Sequence, residues 1–197
     1  MLIDYLTKCS ILTNNQYCWR SKHDTSMAVI EMVDKISQTI DTGDYSIGIF
    51  ILLSKAFDTL DHYVLFDKLE HYGVRGTALN WLKSYLSNRV QFLEYNNTQS
   101  QKLKTTCEVP PGSILRPISF IICINDITNA SQLLCLILFA DDTSSTTIWL
   151  HLLNWWMQNL SKLADWFIAN RLSLNAKKLT PLFSLVHKRN MMQARLL

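Results

Sequence analysis

An apolar run that ends on two adjacent carboxylates constrains the fold of this chain more than any other feature. Residues 133–138 are all apolar, and Phe139-Ala140 leads directly into Asp141 and Asp142. Such a run predicts a buried strand, and residues 143–148 offer a return strand, so the carboxylates would lie at a hairpin tip. Ionised carboxylates are costly to desolvate, and two at a buried strand end indicate a divalent cation. An isolated Asp-Asp pair more often opens a polar turn, so the other motifs of the sequence are needed to distinguish a cation site from such a turn.

Composition places the chain among globular proteins but identifies no partner. With 197 residues, 48% of them hydrophobic and 18% charged, it can form one domain of ordinary size or a part of a larger one. Its formal charge of +3 is compatible with a nucleic-acid partner but is too small to argue for one, because many neutral enzymes have a similar balance.

The cysteines and the apolar runs indicate a protein of a reducing compartment that does not enter the membrane. The chain has five cysteines, an odd number without a CxxC pair, which favours thiols over disulfides or a zinc site. Asp4 and Lys8 interrupt the first apolar residues, so no secretory signal is expected. Every apolar run falls far short of the ~20 residues that span a bilayer. We therefore expect an intracellular location, nuclear or cytoplasmic.

Hydrophobic periodicity predicts alternating helices and strands in the first half of the chain. Apolar residues at four-residue spacing predict an amphipathic helix over residues 24–41. The continuous apolar run at residues 47–53 predicts a central strand that is covered on both faces. Asp61 is suited to cap a helix that runs to Gly73, and Thr77 is suited to cap the helix that follows.

Turn residues separate shorter elements in the second half of the chain. The β-rich runs 89–95 and 102–107, joined by Asn96-Asn97-Thr98, predict a hairpin or a slightly longer turn. Pro117 suits the first turn of a helix, and regularly spaced apolar residues over 153–168 predict a long amphipathic helix. Beyond Pro181 the pattern fades, so we expect a loose tail.

Six motifs then occur in an order and spacing that chance does not readily produce. In chain order they are Asn15-Gln16-Tyr17 with Arg20, Leu53-Ser54-Lys55-Ala56-Phe57-Asp58-Thr59-Leu60-Asp61-His62, Val109-Pro110 with Gly112-Ser113-Ile114-Leu115 and Pro117, Ile124-Asn125-Asp126, Phe139-Ala140-Asp141-Asp142-Thr143, and Trp166-Phe167 with Asn170-Arg171-Leu172-Ser173-Leu174-Asn175 and Lys177-Lys178. With these motifs the chain resembles the reverse transcriptase domain of non-LTR, LINE-type retrotransposons of the jockey-like kind. The resemblance covers nearly the whole chain.

The resemblance implies an α+β fold, namely a polymerase palm with an antiparallel sheet backed by helices, plus partial fingers and no full thumb. It divides the chain into a partial fingers remnant at residues 1–23, the palm and fingers of a reverse transcriptase domain at 24–180, and a loose tail at 181–197. It also implies RNA-directed DNA synthesis, in which a primer 3′-hydroxyl attacks the α-phosphate of a deoxynucleotide. The implied partners are therefore an RNA template, a DNA primer and a dNTP.

Metal binding is where this chain departs most from the family it resembles. The family's chemistry uses two Mg²⁺ ions, roughly 3.5 to 4 Å apart, with Mn²⁺ as an alternative. By resemblance, Asp141 and Asp142 are catalytic metal ligands, and a third carboxylate ends the first core strand. This chain has Leu52 at the third position, and an isobutyl group cannot coordinate a hard cation. The sequence therefore predicts a degenerate polymerase, with a noncatalytic nucleic-acid-binding palm or a nonfunctional transposon relic as alternatives.

The resemblance also assigns residues to the other ligands. Those for the substrate are Phe57, Gly112, Ser113 and Lys178, and those for nucleic acid are Arg20 and Lys22. Phe57 would crowd a ribose 2′-hydroxyl, although a plain core aromatic is nearly as simple an explanation. Gly112 and Ser113 would let the backbone approach the nucleotide. Lys178 or Lys177 would approach its phosphates, unless these lysines are only solvated surface groups.

Three further positions depart from the family pattern. Pro111 stands in place of a Gln in a loop near template and nucleotide, which removes a backbone donor and a side-chain amide. Arg116 replaces a Gly, which adds bulk and charge, and Cys18-Trp19 replaces a Gly-Phe. Each change alone can be a tolerated core or loop substitution. Together with Leu52, they favour a weakened site.

Overall fold

The computed structural model describes most of the chain. The described residues are 2–21, 23–42, 47–131, 134–139, 145–150, 156–175, 180–182, 185–187 and 190–192. Within them the chain forms a mixed α+β fold of six α-helices and small antiparallel sheets. The α+β class predicted from the sequence is therefore confirmed.

Helices and strands interleave along this described part of the chain. The α-helices are α1 (Leu2–Lys8), α2 (Thr25–Thr42), α3 (His62–His71), α4 (Gly76–Leu86), α5 (Leu115–Ile124) and α6 (Trp156–Ala169), with a 3₁₀ helix at Asn125–Asn129. The strands are β1 (Ile47–Leu52), β2 (Val90–Gln91), β3 (Glu94–Tyr95), β4 (Thr98–Gln99), β5 (Leu103–Lys104), β6 (Leu134–Phe139), β7 (Ser145–Leu150), β8 (Thr180–Leu182), β9 (Leu185–His187) and β10 (Asn190–Met192).

The largest sheet has four strands in the order β6-β7-β1-β8, and all neighbouring pairs are antiparallel. β1 is internal because it pairs with both β7 and β8, which confirms the central strand predicted at residues 47–53. β6 and β7 pair as the two arms of the predicted hairpin. Residues 140–144, which connect them in sequence, lie outside the described residues.

β6 is buried on both faces because its alternating side chains enter two apolar clusters. Leu134, Leu136 and Leu138 belong to the main core, with buried side chains of α3, α4 and α5. Ile137 joins a second cluster with Tyr17 and residues of α2. Successive residues of a strand point to opposite faces, so a strand between two helical layers has to be apolar throughout. This explains the continuous apolar run in the sequence.

A buried lysine joins α3 to α5. Lys68 Nζ donates to the Cys123 carbonyl and to Asp126 Oδ1, both at 2.5 Å, and lies 4.9 Å from the centre of the Trp166 ring on α6. Lys68 is only 8% exposed, so these contacts offset the cost of removing its charge from water. They also fix the three helices relative to one another.

Asn125 anchors the N-terminal segment to the same helices. Its Oδ1 accepts from the Thr13 N–H at 2.8 Å, and its Nδ2 donates to the Ile11 carbonyl at 2.9 Å and to the Tyr72 hydroxyl at 3.3 Å. Because Asn125 is buried, these bonds satisfy polar groups that would otherwise be unpaired. The asparagine of the Ile124-Asn125-Asp126 motif therefore has a structural role.

The hairpin predicted between residues 89 and 107 is confirmed and has an inner and an outer part. β2 pairs with β5, and β3 pairs with β4 nearer the turn. Asn96 and Asn97, between β3 and β4, have φ values of 47° and 59°. Such angles suit a two-residue hairpin turn, and asparagine adopts them more readily than most residues.

Two details of the predicted helices are wrong. α4 begins two residues earlier than predicted, with Arg75 at its N-cap, so Thr77 lies in its first turn. On α6, Leu163 and Phe167 are buried, but Ile168, predicted on the same face, is 75% exposed. Consecutive helical residues are about 100° apart, so the face of α6 that meets the core is narrower than its apolar stripe.

The C-terminal residues contain more pairing than the fading sequence pattern indicates. β8 extends the largest sheet beside β1, and β9 pairs with β10. The domain limits predicted at residues 23 and 180 stay a prediction. No helix of the described ranges combines the length and apolar character needed to cross a membrane.

Candidate functional site

The end of β1 lies at the edge of the sheet where the β6–β7 hairpin turns. Leu52, the last residue of β1, pairs with Ser145, and Ser145 also pairs with Phe139 at the end of β6. Three strand ends therefore meet there. Asp141 and Asp142 fall in sequence between Phe139 and Ser145, and their placement lies outside the described residues.

The N-terminal segment covers the neighbouring edge of β6. The Leu138 N–H donates to the Asn15 carbonyl at 2.8 Å, and the Tyr17 N–H donates to the Leu138 carbonyl at 2.9 Å. Gln16 is fully buried between them, and its Nε2 has no hydrogen-bond partner among the described residues.

The chain that leaves β1 is held by the segment that follows α6. Leu53 forms an antiparallel bridge with Leu174, and the Ser54 N–H donates to the Ser173 carbonyl at 2.8 Å. These contacts bring the Asn170–Asn175 motif to the end of β1. Lys177 and Lys178, which follow it in sequence, lie outside the described residues.

The two carboxylates that follow β1 have structural partners. Asp58 forms an ion pair with Arg116. Asp61 caps α3 by accepting from two backbone N–H groups of its first turn, and its other oxygen accepts from Arg171 Nη1 at 2.6 Å. The cap predicted for Asp61 is confirmed. Both side chains are therefore engaged in contacts that organise the loop.

Phe57 lies in a cluster of rings with a cation against it. Its ring centre is 5.1 Å from that of Phe120 in the core and 6.3 Å from that of Trp19, which meets it edge-on. The Arg116 guanidinium lies 5.4 Å from the Phe57 ring centre while it pairs with Asp58. Phe57 is half-buried, so it contributes to the core and still reaches the surface of the site.

Residues 110–113 form a tight turn in front of α5. The Ser113 N–H donates to the Pro110 carbonyl at 3.1 Å, and Gly112 has φ of 77°. This is the pattern of a type II turn, in which proline is favoured at the position of Pro111 and glycine at that of Gly112. A Cβ on Gly112 would meet nothing within 4 Å, so its backbone faces open space. Pro111 is therefore well suited to the local backbone.

Ser113 links this turn to two helices. Its Oγ accepts from the Leu115 N–H at the start of α5 and from the Tyr85 hydroxyl of α4, each at 3.2 Å. Arg116 lies in the first turn of α5 in ordinary helical conformation, so its replacement of a glycine does not strain the backbone. Sequence reasoning missed Tyr85, although its spacing of four residues from Trp81 and Arg89 is visible in the sequence.

Arg20 supports the N-terminal segment from within. Its Nη1 donates to the Thr13 carbonyl at 2.5 Å, and partial burial lowers the pKa of its guanidinium without removing the charge. Lys22, the other residue predicted to bind nucleic acid, lies outside the described residues.

The described side chains do not by themselves make a metal centre. Within those ranges, no group of three or more His, Cys, Asp or Glu side chains is arranged to hold an ion. The geometry does bring together the end of β1, the turn at residues 110–113, Phe57 and the segment after α6.

A family model for reverse transcriptase (RNA-dependent DNA polymerase) matches residues 1–190. The match covers almost the whole chain and includes every motif named above. The chain belongs to the reverse transcriptase family.

Two curated relatives support the subgroup indicated by the motifs. The reverse transcriptase domain is 31% identical over 125 residues to the probable RNA-directed DNA polymerase from transposon BS of Drosophila melanogaster, a match covering 60% of this chain and 13% of that protein. It is 25% identical over 149 residues to the probable RNA-directed DNA polymerase from transposon X-element of the same organism. This match covers 74% of this chain and 16% of that protein. The predicted relationship to jockey-like, non-LTR retrotransposons is confirmed. The chain spans less than a fifth of either relative's length.

A solved structure shows the same fold. The reverse transcriptase domain superposes on telomerase from Candida albicans, determined in complex with a TWJ fragment of telomeric RNA, with a TM-score of 0.62. The superposition covers 90% of this chain and 32% of that chain at 13% identity. At this identity the likeness concerns the fold alone.

Proposed function

We propose that this domain is the palm with part of the fingers of an RNA-directed DNA polymerase, and that its metal site is impaired in this copy. The reaction of the intact family member transfers a nucleotide from a dNTP to a primer 3′-hydroxyl on an RNA template. The observation that carries the proposal is the pairing of Leu52 with Ser145 beside the end of β6. That register supports Leu52 as the position from which a third carboxylate would face Asp141 and Asp142.

The donor set of this chain does not fit two divalent ions. Mg²⁺ requires oxygen ligands in near-octahedral geometry, and two ions 3.5 to 4 Å apart, by the general rule for such sites, need a carboxylate that reaches both. Leu52 has no oxygen, and the nearby carboxylates Asp58 and Asp61 are already paired with arginines. Asp141 and Asp142 would leave at most a weakened site, for Mg²⁺ or for Mn²⁺.

The remaining assignments follow from the same arrangement. Phe57 is the residue we assign to the deoxyribose, supported by its half-buried ring beside the end of β1. Gly112 and Ser113 form the turn over which the nucleotide would lie, supported by the open space in front of Gly112. Lys178 is assigned to phosphates, and Arg20 and Lys22 to the template backbone.

We assign residues 1–23 to part of the fingers, 24–180 to the palm and fingers, and 181–197 to a tail. The partners we propose are an RNA template, a DNA primer and a dNTP. The thiols Cys107 and Cys123, which form no disulfide, support a reducing location in the nucleus or cytoplasm.

Primer extension on an RNA template tests the metal proposal. We expect the native chain to extend poorly in Mg²⁺ or Mn²⁺ and Leu52→Asp to extend at least about a hundredfold faster, because a lost ligand interaction worth several kcal/mol corresponds to such a factor. Leu52→Asn is the matched control, since it has the shape of aspartate without its charge. Extension by the native chain at a rate normal for polymerases would contradict the proposal.

A noncatalytic nucleic-acid-binding domain is the second candidate. It is favoured by the Arg116 guanidinium, which lies against Phe57 where a sugar would approach. This candidate gains if neither the native chain nor Leu52→Asp extends a primer while both bind a primer–template at low salt. Such binding should weaken steeply as salt is raised. A purified chain that does not fold would favour a relic instead.

A further inference from the structure

A stack of three side chains runs along one side of α4 and continues past its end. Trp81 and Tyr85 have ring centres 5.6 Å apart and planes inclined by only 11°, and the Arg89 guanidinium lies 5.7 Å from the Tyr85 ring centre. Trp81 and Tyr85 are four residues apart and therefore lie on the same face of α4, whereas Arg89 follows the end of the helix. We call Trp81, Tyr85 and Arg89 the aromatic ladder.

The ladder lies at the surface and not in the core. Trp81 is 58% exposed, whereas Leu79, Leu82 and Leu86 of the same helix are buried and attach α4 to the core. The leucines therefore account for the packing of α4, and an exposed tryptophan adds little to it. A large aromatic ring kept in water at the end of a stack needs another explanation.

The inner end of the ladder reaches the turn at residues 110–113. The Tyr85 hydroxyl donates to Ser113 Oγ at 3.2 Å. Arg89 lines a cavity of about 160 Å³ together with Pro110 and Pro111 of the same turn. A flexible chain that stacked on Trp81 would thus be guided along α4 to the turn.

The sequence segment that carries the ladder is basic in composition, although Glu108 also lines the cavity beside Arg89. The chain has 19 Lys and Arg and 16 Asp and Glu, and the segment 75–107 holds five of the basic residues but only Glu94 among the acidic ones. In the rest of the sequence, outside residues 75–107, the acidic residues slightly outnumber the basic ones. Lys102 lies 5.7 Å from the ring centre of Phe92, a second exposed pairing of a cation with an aromatic ring.

We propose that the aromatic ladder is a stacking platform for single-stranded nucleic acid, which it directs to the turn at residues 110–113. Exposed aromatic rings that receive bases, set among cations that follow the backbone, are the features by which proteins hold single strands without reading their sequence. A protein partner would fit less well, because segment 75–107 carries three lysines and lysine is depleted at protein interfaces. That the bound strand is the template rests on the proposed function.

Fluorescence anisotropy of a labelled twelve-nucleotide oligo(U) RNA at low salt tests the proposal on the full chain. We expect Trp81→Ala to bind about tenfold more weakly, because loss of one base–aromatic stack has an effect of this order. Arg89→Gln should weaken binding and reduce its salt dependence. Trp81→Phe should retain most of the affinity, which also guards against a Trp81→Ala chain that fails to fold.

Matched controls separate the ladder from general surface effects. Tyr63→Ala removes an aromatic ring that is 75% exposed on α3, and Lys35→Gln removes an exposed cation on α2. Both should bind the RNA as the native chain does. Equal loss in Tyr63→Ala and Trp81→Ala, or none in Trp81→Ala, would overturn the proposal.

Two other outcomes would also overturn it. One is a native chain that does not bind the RNA at low salt. The other is a Trp81→Ala chain that binds RNA normally but loses self-association in sedimentation, which would make the ladder a protein contact. Failure of Leu52→Asp to extend a primer would leave the ladder intact, so the two proposals fail separately.

Discussion

The helices behind the sheet and the surface of the candidate site differ in how they use their polar side chains. Behind the sheet, Lys68 and Asn125 are buried, and each has several partners from distant parts of the chain. At the site, the charged groups Asp58 and Arg116 are partly exposed and pair with each other across a loop. The first arrangement is needed for folding. The second is accommodated by the fold but is not required by it.

The departures from the family pattern fall on the second of these regions. Leu52 keeps its place in the ladder with β7, Pro111 occupies the turn position that prolines favour, and Arg116 is helical. None of them disturbs the backbone around it. The difference teaches that substitutions at the site surface are compatible with the reverse transcriptase fold, as the proposed loss of a metal ligand at Leu52 requires.

Removing the buried lysine should have the largest effect on stability. We expect Lys68→Met to lower the free energy of unfolding by about 3 kcal/mol, because it leaves Asp126 without its partner in a mostly buried place. Asp126 keeps about a third of its exposure to water, so the loss should fall at the lower end of the range for buried pairs. Urea denaturation followed by circular dichroism measures it.

The ion pair between Lys83 and Glu70 is the matched control for Lys68. Its N–O distance of 2.7 Å is similar, but both side chains are about half exposed. Lys83→Met should therefore cost less than about 1 kcal/mol. Equal losses in the two variants would contradict the contrast between the buried helices and the surface.

The sequence predicts the parts of this fold whose signals are local. The apolar runs at β1 and β6, the Asn-Asn turn and the Asp61 cap are each read from a few adjacent residues, and the structure contains all of them. The N-cap of α4 was predicted two residues too late, at Thr77, because several residues before α4 are compatible with a helix start. Ile168 was wrongly predicted to face the core because the sequence of an apolar stripe does not indicate which part of the stripe contacts the core.

The sequence cannot predict contacts between residues that are far apart along the chain. The partners of Lys68 lie 55 and 58 residues away, and those of Asn125 lie up to 114 residues away. The same is true of the site, where Arg116 meets Asp58 at a separation of 58 residues. The family motifs indicate which residues belong to the site. Only the three-dimensional packing shows that Arg116 lies against Phe57.

The thiol of Cys123 gives an intermediate effect that depends on pH. Burial raises the pKa of Cys123 from 9.0 to about 12, so the thiol stays protonated in the folded chain while it ionises in the unfolded one. The protonated thiol therefore contributes its full stabilisation of the folded chain below pH 9, and this contribution is lost as the pH rises from 9 to 12. From pH 8 to 10 it should decrease by about 1.4 kcal/mol.

Urea denaturation at pH 8 and pH 10 measures this loss. Cys123→Ala should show a drop that is smaller than the native one by about 1 kcal/mol, since it lacks the titrating group. Cys9→Ala, which removes an exposed thiol, should keep the native pH dependence. A Cys123→Ala chain that loses as much stability as the native chain would contradict the assignment.

Removing Arg116 should have the smallest effect on stability. Arg116→Ala breaks the ion pair with Asp58 and uncovers Phe57, but the Asp58 side chain is 47% exposed, so water replaces much of the lost interaction. We expect a loss below about 1 kcal/mol, and an Asp58→Ala double-mutant cycle should give a coupling of the same size. A coupling as large as that of Lys68 with Asp126 would mean that the site surface is as necessary for folding as the helices behind it. The contrast between the two regions would then be wrong.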